Sequence, residues 1–332
     1  MRHLLFAILL AAVAAPAAAE GVFRAGRSMD VERHAGLDLA DADKMLTALR
    51  ERDRRVIDVE VRLVTNCATT EAAVNAQSCS TSPVFDLLSE PNAGGGRWMV
   101  SLAETEAGYA ATWKARSAEG YRLADIEPHS VYTYTRSGPV PKRVQFTSLW
   151  VQDADRPGWY SYSRLTGAGF SDKFKQHGDG QKMAVTDYET YELVGADCPK
   201  PTRYAPPTCV AAVFTRPPAG AKWAFLRNLA PQEYLDKKEA YARGGFRTLL
   251  INNQWGRIAA TFIQQPEADS WKSFARMTEA EYKRTAAEMR GDGYRLVDLE
   301  MGHQDLPNTA DISFGSIWFK PLPPSTRTPQ RR

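Results

Sequence analysis

The chain has 332 residues, of which 43% are hydrophobic, 10% aromatic and 24% charged. That balance fits a folded protein and excludes a disordered one. The net charge of +3 is small and basic residues alternate with acidic ones, which excludes the basic footprint of a nucleic-acid-binding surface.

The first nineteen residues read as a secretory signal. A basic start, Met1-Arg2-His3, leads into an apolar run from Leu4 to Val13, and small residues end in Ala17-Ala18-Ala19 before Glu20. This is the three-part layout of a cleaved leader, and the run is too short for a spanning helix. The expected organisation is residues 1–19 as signal peptide, 20–320 as the folded region and 321–332 as a disordered Pro-rich tail. No later segment is apolar for long enough to cross a bilayer, so the mature chain is expected to be exported and soluble, in the periplasm or outside the cell.

A repeat follows. Trp98 and Tyr109, Trp159 and Phe170, Trp223 and Tyr234, and Trp271 and Tyr282 are each eleven residues apart, in the segments WMVSLAETEAGY, WYSYSRLTGAGF, WAFLRNLAPQEY and WKSFARMTEAEY. A helix is predicted after each. In the last copy Thr278 and Glu281 form a capping box, and Tyr282, Ala286 and Met289 share one face. In the copy before it, Pro231 suits the first helical position. Gly120-Tyr121, Gly245-Phe246 and Gly293-Tyr294 read as helix ends, where glycine takes the left-handed conformation. The Trp159 copy departs from this, with Gly178 and Gly180 earlier and Met183 in place of the aromatic.

Strands are predicted next: YRLADIE from Tyr121, MAVTDYE from Met183, FRTLLIN from Phe246 and YRLVDLE from Tyr294. An earlier copy, RVIDVEV from Arg55, follows a helix over roughly Leu39 to Asp53. Each leads into a second strand, at Pro83–Leu88, Val144–Val151, Val210–Thr215, Ile258–Ile263 and Ile312–Phe319. The expected fold is therefore α+β, with about five tandem ββα units that bury one another's apolar faces and whose ends can meet in a ring or arc. Val22-Phe23-Arg24 reads as a lone second strand before the first helix. The repeated tryptophans and their paired aromatics are expected to be core pegs that lock each helix to its hairpin.

Four cysteines allow three pairings. Cys67 and Cys79, and Cys198 and Cys209, fall in equivalent long hairpin loops, which favours pairing within each loop. Each such staple is worth at most roughly 3 kcal/mol. Metal ligation is disfavoured, because neither the cysteines nor His34, His129, His177 and His303 have metal-ligand spacing.

Trp271 to Glu300, WKSFARMTEAEYKRTAAEMRGDGYRLVDLE, resembles the bacterial tandem repeat domain that forms the N-terminal half of secreted polyglycine hydrolases. The resemblance is clear in the last two units and fainter in the first three. It implies ββα units in a left-handed arrangement. In those hydrolases catalysis resides in a separate β-lactamase-like domain that needs an S-x-x-K motif. No Ser here has Lys three residues later, so the resemblance implies the accessory module without the enzyme, and no ligand comes with it.

The residues most suggestive of chemistry are a recurring D-x-E: Asp58/Glu60, Asp125/Glu127, Asp187/Glu189 and Asp298/Glu300, replaced by Leu250/Asn252 in the fourth strand. Residues two apart in a strand share a side, so the four pairs are either a cation or basic-ligand surface or a solvated face paired with Arg55, Arg122 and Arg295. Exposed-looking aromatics at Tyr132/Tyr134 and Trp159-Tyr160-x-Tyr162 suit stacking on sugars. There is no G-x-S-x-G elbow, and Ala93-Gly94-Gly95-Gly96 precedes a strand rather than a helix, as a linker does. The expectation is a non-catalytic binding or scaffold module without cofactor or metal, for an unknown protein or glycan. The alternative is a secreted hydrolase using an Asp/Glu pair.

Overall fold

The computed structural model describes residues 28–67, 79–135, 138–152, 158–192, 208–254, 256–264, 270–303 and 312–321. The expected leader, Val22-Phe23-Arg24 and Cys198 lie outside them. Among the described residues, no helix is long and apolar enough to cross a membrane.

One element order recurs five times: strand, helix, strand, strand. The first unit is β1 (Glu32–Leu37), α1 (Leu39–Glu51), β2 (Arg54–Cys67) and β3 (Cys79–Pro91). The second is β4 (Trp98–Thr105), α2 (Glu106–Ala118), β5 (Arg122–Thr135) and β6 (Gly138–Val151). The third is β7 (Trp159–Leu165), α3 (Gly167–Lys173) continued by a π-helical stretch (Phe174–Gly180), β8 (Ala184–Glu192) and β9 (Thr208–Thr215). The fourth is β10 (Trp223–Leu229), α4 (Pro231–Arg243), β11 (Phe246–Gln254) and β12 (Arg257–Gln264). The fifth is β13 (Ser270–Met277), α5 (Glu279–Gly291), β14 (Arg295–His303) and β15 (Ile312–Lys320). In every unit the third strand lies between the first and second, all antiparallel. The sheets of the first two units are joined by one bridge, Ser80 to Thr133.

This corrects the expected unit. The Trp segments are strands in their own right, so the copy reads β-α-β-β rather than ββα, and the first copy is complete because β1 supplies its opening strand. Local chemistry explains the order. Each opening strand is bulged near its end, and Gly36, Ala103, Asn228 and Arg276 take φ of 73°, 50°, 61° and 56° at the same place, two residues before the helix cap. The chain then enters a helix capped by Asp38, Thr105, Thr166 or Thr278, whose side-chain oxygen accepts an N–H of the first turn. Ala230 has no such oxygen, and Pro231 follows it at the first helical position. Each helical stretch ends in a left-handed residue: the expected Gly120, Gly245 and Gly293, and also Asp53 and Lys182.

The core lies between units. Leu46, Leu49 and Val56 of the first pack with Trp98 and Leu149 of the second. Tyr109 and Trp150 of the second pack with Tyr191 and Val213 of the third. Phe170 and Phe214 of the third pack with Leu250 and Ala259 of the fourth, and Tyr234 and Phe262 with Ile317 of the fifth. Tyr282, Met289 and Trp318 of the fifth pack with Leu88 of the first. Tyr109, Phe170, Tyr234 and Tyr282 are buried; in the first copy Ala42 holds their position.

Among the four repeated tryptophans only Trp98 is buried, while Trp159, Trp223 and Trp271 are half-buried along the seams between units. They are seam residues rather than pegs between a helix and its own hairpin. The large buried rings that sequence reading missed are Trp150, Phe214, Phe262 and Trp318, at one position of the third strand. Full burial of such a ring is worth roughly 1.5–3 kcal/mol.

Candidate functional site: the inward acidic pairs

A β-bulge precedes the acidic position in every unit. The register shifts between Val56 and Asp58, Leu123 and Asp125, Val185 and Asp187, Thr248 and Leu250, and Leu296 and Asp298. A bulge bends the strand and re-aims the following side chain. Here it turns Asp125 and Asp187 towards the preceding unit, and Asp58 of the first unit towards the fifth.

The resulting bonds cross every seam. Asp125 Oδ2 accepts from Val59 N at 2.9 Å, and Asp187 Oδ2 from Ile126 N at 2.7 Å. Asn252 Nδ2 donates to Glu189 Oε2 at 2.8 Å and to Glu300 Oε1 at 3.2 Å, and Asn253 N also reaches Glu300 Oε1 at 3.2 Å. Between fifth and first units, Leu299 N donates to Asp58 Oδ2 at 2.9 Å and Met301 N to Glu60 Oε2 at 2.8 Å. Asn252, in the copy without the acidic pair, is thus a donor that two neighbouring glutamates need.

All eight carboxyls belong to one buried group. Asp58, Glu60, Glu127, Asp187, Glu189 and Glu300 are buried, and Asp125 and Asp298 are half-buried. Burial is the largest cause raising each of them above the usual carboxylate range, and repulsion within the set adds to it for most. Asp125 and Asp298 are pushed up to about 7, Asp298 despite the opposing influence of Arg247. Taking a charge out of water without a partner is unfavourable, so burial favours the protonated form of each. Among the described residues, no three His, Cys, Asp or Glu side chains are arranged to hold a metal ion.

The expectation of a solvated acidic face is overturned by this burial. Arg55 and Arg295 both bond Glu90, which is outside the D-x-E set, at 2.9 and 2.8 Å. Arg122 donates to Leu123 O. Of the aromatics, Tyr132 is buried and its hydroxyl donates to Glu192 Oε2 at 2.7 Å, while the side chain of Tyr134 lies outside the described residues. Tyr160 is exposed and stacks on His177, with centroids 4.1 Å apart; that imidazole is held between Tyr162 Oη and Gln181 Oε1. Trp113, which sequence reading passed over, is exposed on α2 and donates its indole N–H to Ser161 Oγ at 2.8 Å.

With the geometry in hand, the comparison with protein families is specific. The model of the polyglycine hydrolase-like structural repeat matches residues 95–153 and 268–309. These two regions are similar to that structural repeat. The first match contains the whole second unit, β4 to β6, and the second runs from β13 through β14 of the fifth. Both begin at the Trp strand, in agreement with the strand-helix-strand-strand frame. No curated protein matches the chain. In both matched regions the acidic pair, Asp125/Glu127 and Asp298/Glu300, sits in the inward strand just after a bulge.

Proposed function

We propose that the protein is an exported, non-catalytic binding or scaffold module, acting at the cell envelope or outside the cell, that holds a glycan or protein partner on its outer surface. The observation that carries this reading is the direction of the acidic pairs. The carboxyls that recur along the chain are buried or half-buried, and six of the eight are bonded from one unit to another, so they serve cohesion and leave recognition to the outside. There Trp113 and Tyr160 are 39% and 43% exposed, each fixed from behind. Rings with an apolar face and an anchored polar edge suit stacking on a sugar or a planar side chain.

Two finer features belong to the same proposal. The five units close on themselves, supported by the Asp58–Leu299 and Glu60–Met301 bonds and by the shared cluster around Trp318 and Leu88. The long hairpins are stapled by Cys67–Cys79 and Cys198–Cys209. The pairing of β2 with β3 sets Cys67 opposite Cys79, and no described cysteine is a free thiol. Facing residues on antiparallel strands lie within the Cα separation a disulfide requires.

Sedimentation with peptidoglycan and insoluble glycans, alongside pull-down from envelope extracts, tests the reading. Retention that falls when Trp113 and Tyr160 are both changed to Ala is expected. Turnover on a glycoside, ester or peptide panel that is lost in Asp125→Asn would replace it with the hydrolase alternative.

A further inference from the structure

The first and fifth units meet around a cavity of about 90 Å³, whose walls include Val31, Leu88, Tyr294, Leu296, Arg290 and Arg295. The repeat says what this place is. Trp98, Trp159, Trp223 and Trp271 each stand seven residues before a helix cap, at Thr105, Thr166, Ala230 and Thr278; Val31 stands seven before Asp38. At the other four seams an indole packs here against the neighbouring unit. At this seam the side chain is valine.

Two of the four indoles are covered by an arginine of the preceding unit. Arg50 lies 5.1 Å from the centroid of Trp98, and Arg247 lies 3.7 Å from that of Trp271. Both cations have counterparts in the cavity wall. Arg290 stands twelve residues after its helix cap, as Arg50 does, and Arg295 follows Tyr294 as Arg247 follows Phe246. The seam therefore keeps the cationic cover and the apolar floor of an indole site but, among the described residues, has valine at the position the indole takes elsewhere. An arginine over an aromatic face is an attractive pair that strengthens when water is excluded.

We propose that this cleft binds a planar aromatic ring, of indole size or smaller, carried by a ligand from outside the chain. Val31, Leu88 and Leu296 supply the apolar contact, Tyr294 an aromatic wall, and Arg290 the cation over the ring face. Arg295 is bonded to Glu90 and Arg33, also at the cavity, to Asp86. Arg290 is exposed and forms no ion pair with a described residue, so an anionic group beside the ring is favoured. This site is separate from the rim of Trp113 and Tyr160.

The test is a titration of the full chain with N-acetyltryptophan, with N-acetyltryptophanamide and N-acetylleucine as neutral and non-aromatic counterparts, followed by calorimetry and by chemical shifts. N-acetyltryptophan binds most tightly, the amide more weakly, and N-acetylleucine not at all. Val31→Trp restores the ring of the other seams, so it removes binding and does not lower the melting temperature. Arg290→Gln, on an exposed side chain, leaves the fold intact and weakens binding by roughly two- to five-fold. The proposal is overturned if N-acetyltryptophan does not bind, if it binds no better than N-acetylleucine, or if its affinity is unchanged in either variant.

Discussion

Asp58 Oδ2 accepts the backbone N–H of Leu299 at 2.9 Å, joining residues 241 apart in sequence. Asp125 and Asp187 make the same bond one and two seams further on, so a single side-chain position links the last unit to the first as it links neighbours in the chain. Asp58→Ala removes the acceptor and strands a buried N–H, a loss of about 1–3 kcal/mol. Urea unfolding at pH 5 gives the value, and a change below about 0.5 kcal/mol contradicts a linking role. Asp58→Asn keeps an acceptor oxygen and is expected to lose less.

The buried carboxyls set the direction of pH dependence. Each binds its proton more tightly folded than unfolded, since burial raises it. The folded state therefore holds more protons, and stability declines as pH rises. For Asp125 and Asp298 the decline runs from the ordinary carboxylate range, about 4, through about 7. Stability is fully present below that window and lost above it. Melting temperature is expected to fall between pH 4 and pH 8; a rise over that range contradicts the burial.

Glu127 isolates the repulsion. Its carboxyl is raised by burial and then by Glu189 and Glu60, and it accepts no hydrogen bond from a described residue. Glu127→Gln removes a charge without breaking a bond, so it raises the melting temperature at pH 8 and leaves it unchanged at pH 4. Equal effects at both values would mean that charge is not the cause.

Two glycines test how closely the fourth and fifth units approach. A Cβ at Gly302 would stand 1.4 Å from Asn253 O, a backbone atom that cannot swing aside. Gly302→Ala is expected to cost roughly 3 kcal/mol, at the upper end of overpacking. Gly291 ends α5 with nothing within 4 Å of the added carbon, and Gly291→Ala is neutral or stabilising by up to about 1 kcal/mol. Chemical denaturation of the two side by side separates crowding from helix propensity.

Glu90 accepts from Arg55 of its own unit and from Arg295 of the fifth, and all three are largely buried. Glu90→Ala leaves two cations without it, at a cost of about 3–5 kcal/mol by analogy with other broken buried pairs. Glu90→Gln is milder. Equal stability of Glu90→Ala and the parent protein across salt concentrations would contradict the role of this bridge.

Much of the fold was legible in sequence because the repeat writes its boundaries in side chains. Thr278 and Glu281 marked a helix start, and Gly120, Gly245 and Gly293 marked the left-handed ends. The opening strands were hidden because a left-handed residue such as Ala103 or Arg276 breaks their alternation after a few residues. The opening strand of the first copy was hidden because Val31 and Ala42 stand where the other units have Trp and an aromatic ring. The acidic pairs were found, but their surroundings were misread. Asp and Glu two apart look like a solvated face to any local measure of polarity; bulges and the neighbouring units turn them inward, and those are tertiary facts. Asn252 looked like a lapse in the pattern and is the donor shared by Glu189 and Glu300.

The central claim is that five copies of one module shelter each other's apolar faces, the last against the first. Amide hydrogen exchange at Leu299 and Met301 tests it most directly, because their acceptors, Asp58 and Glu60, belong to the first copy. The account predicts protection equal to that of Val59 and Ile126, whose N–H groups bond across the seams between the first three units, all four exchanging only on global unfolding. Exchange at Leu299 and Met301 that is faster by orders of magnitude, as in the frayed end of an open array, would contradict it.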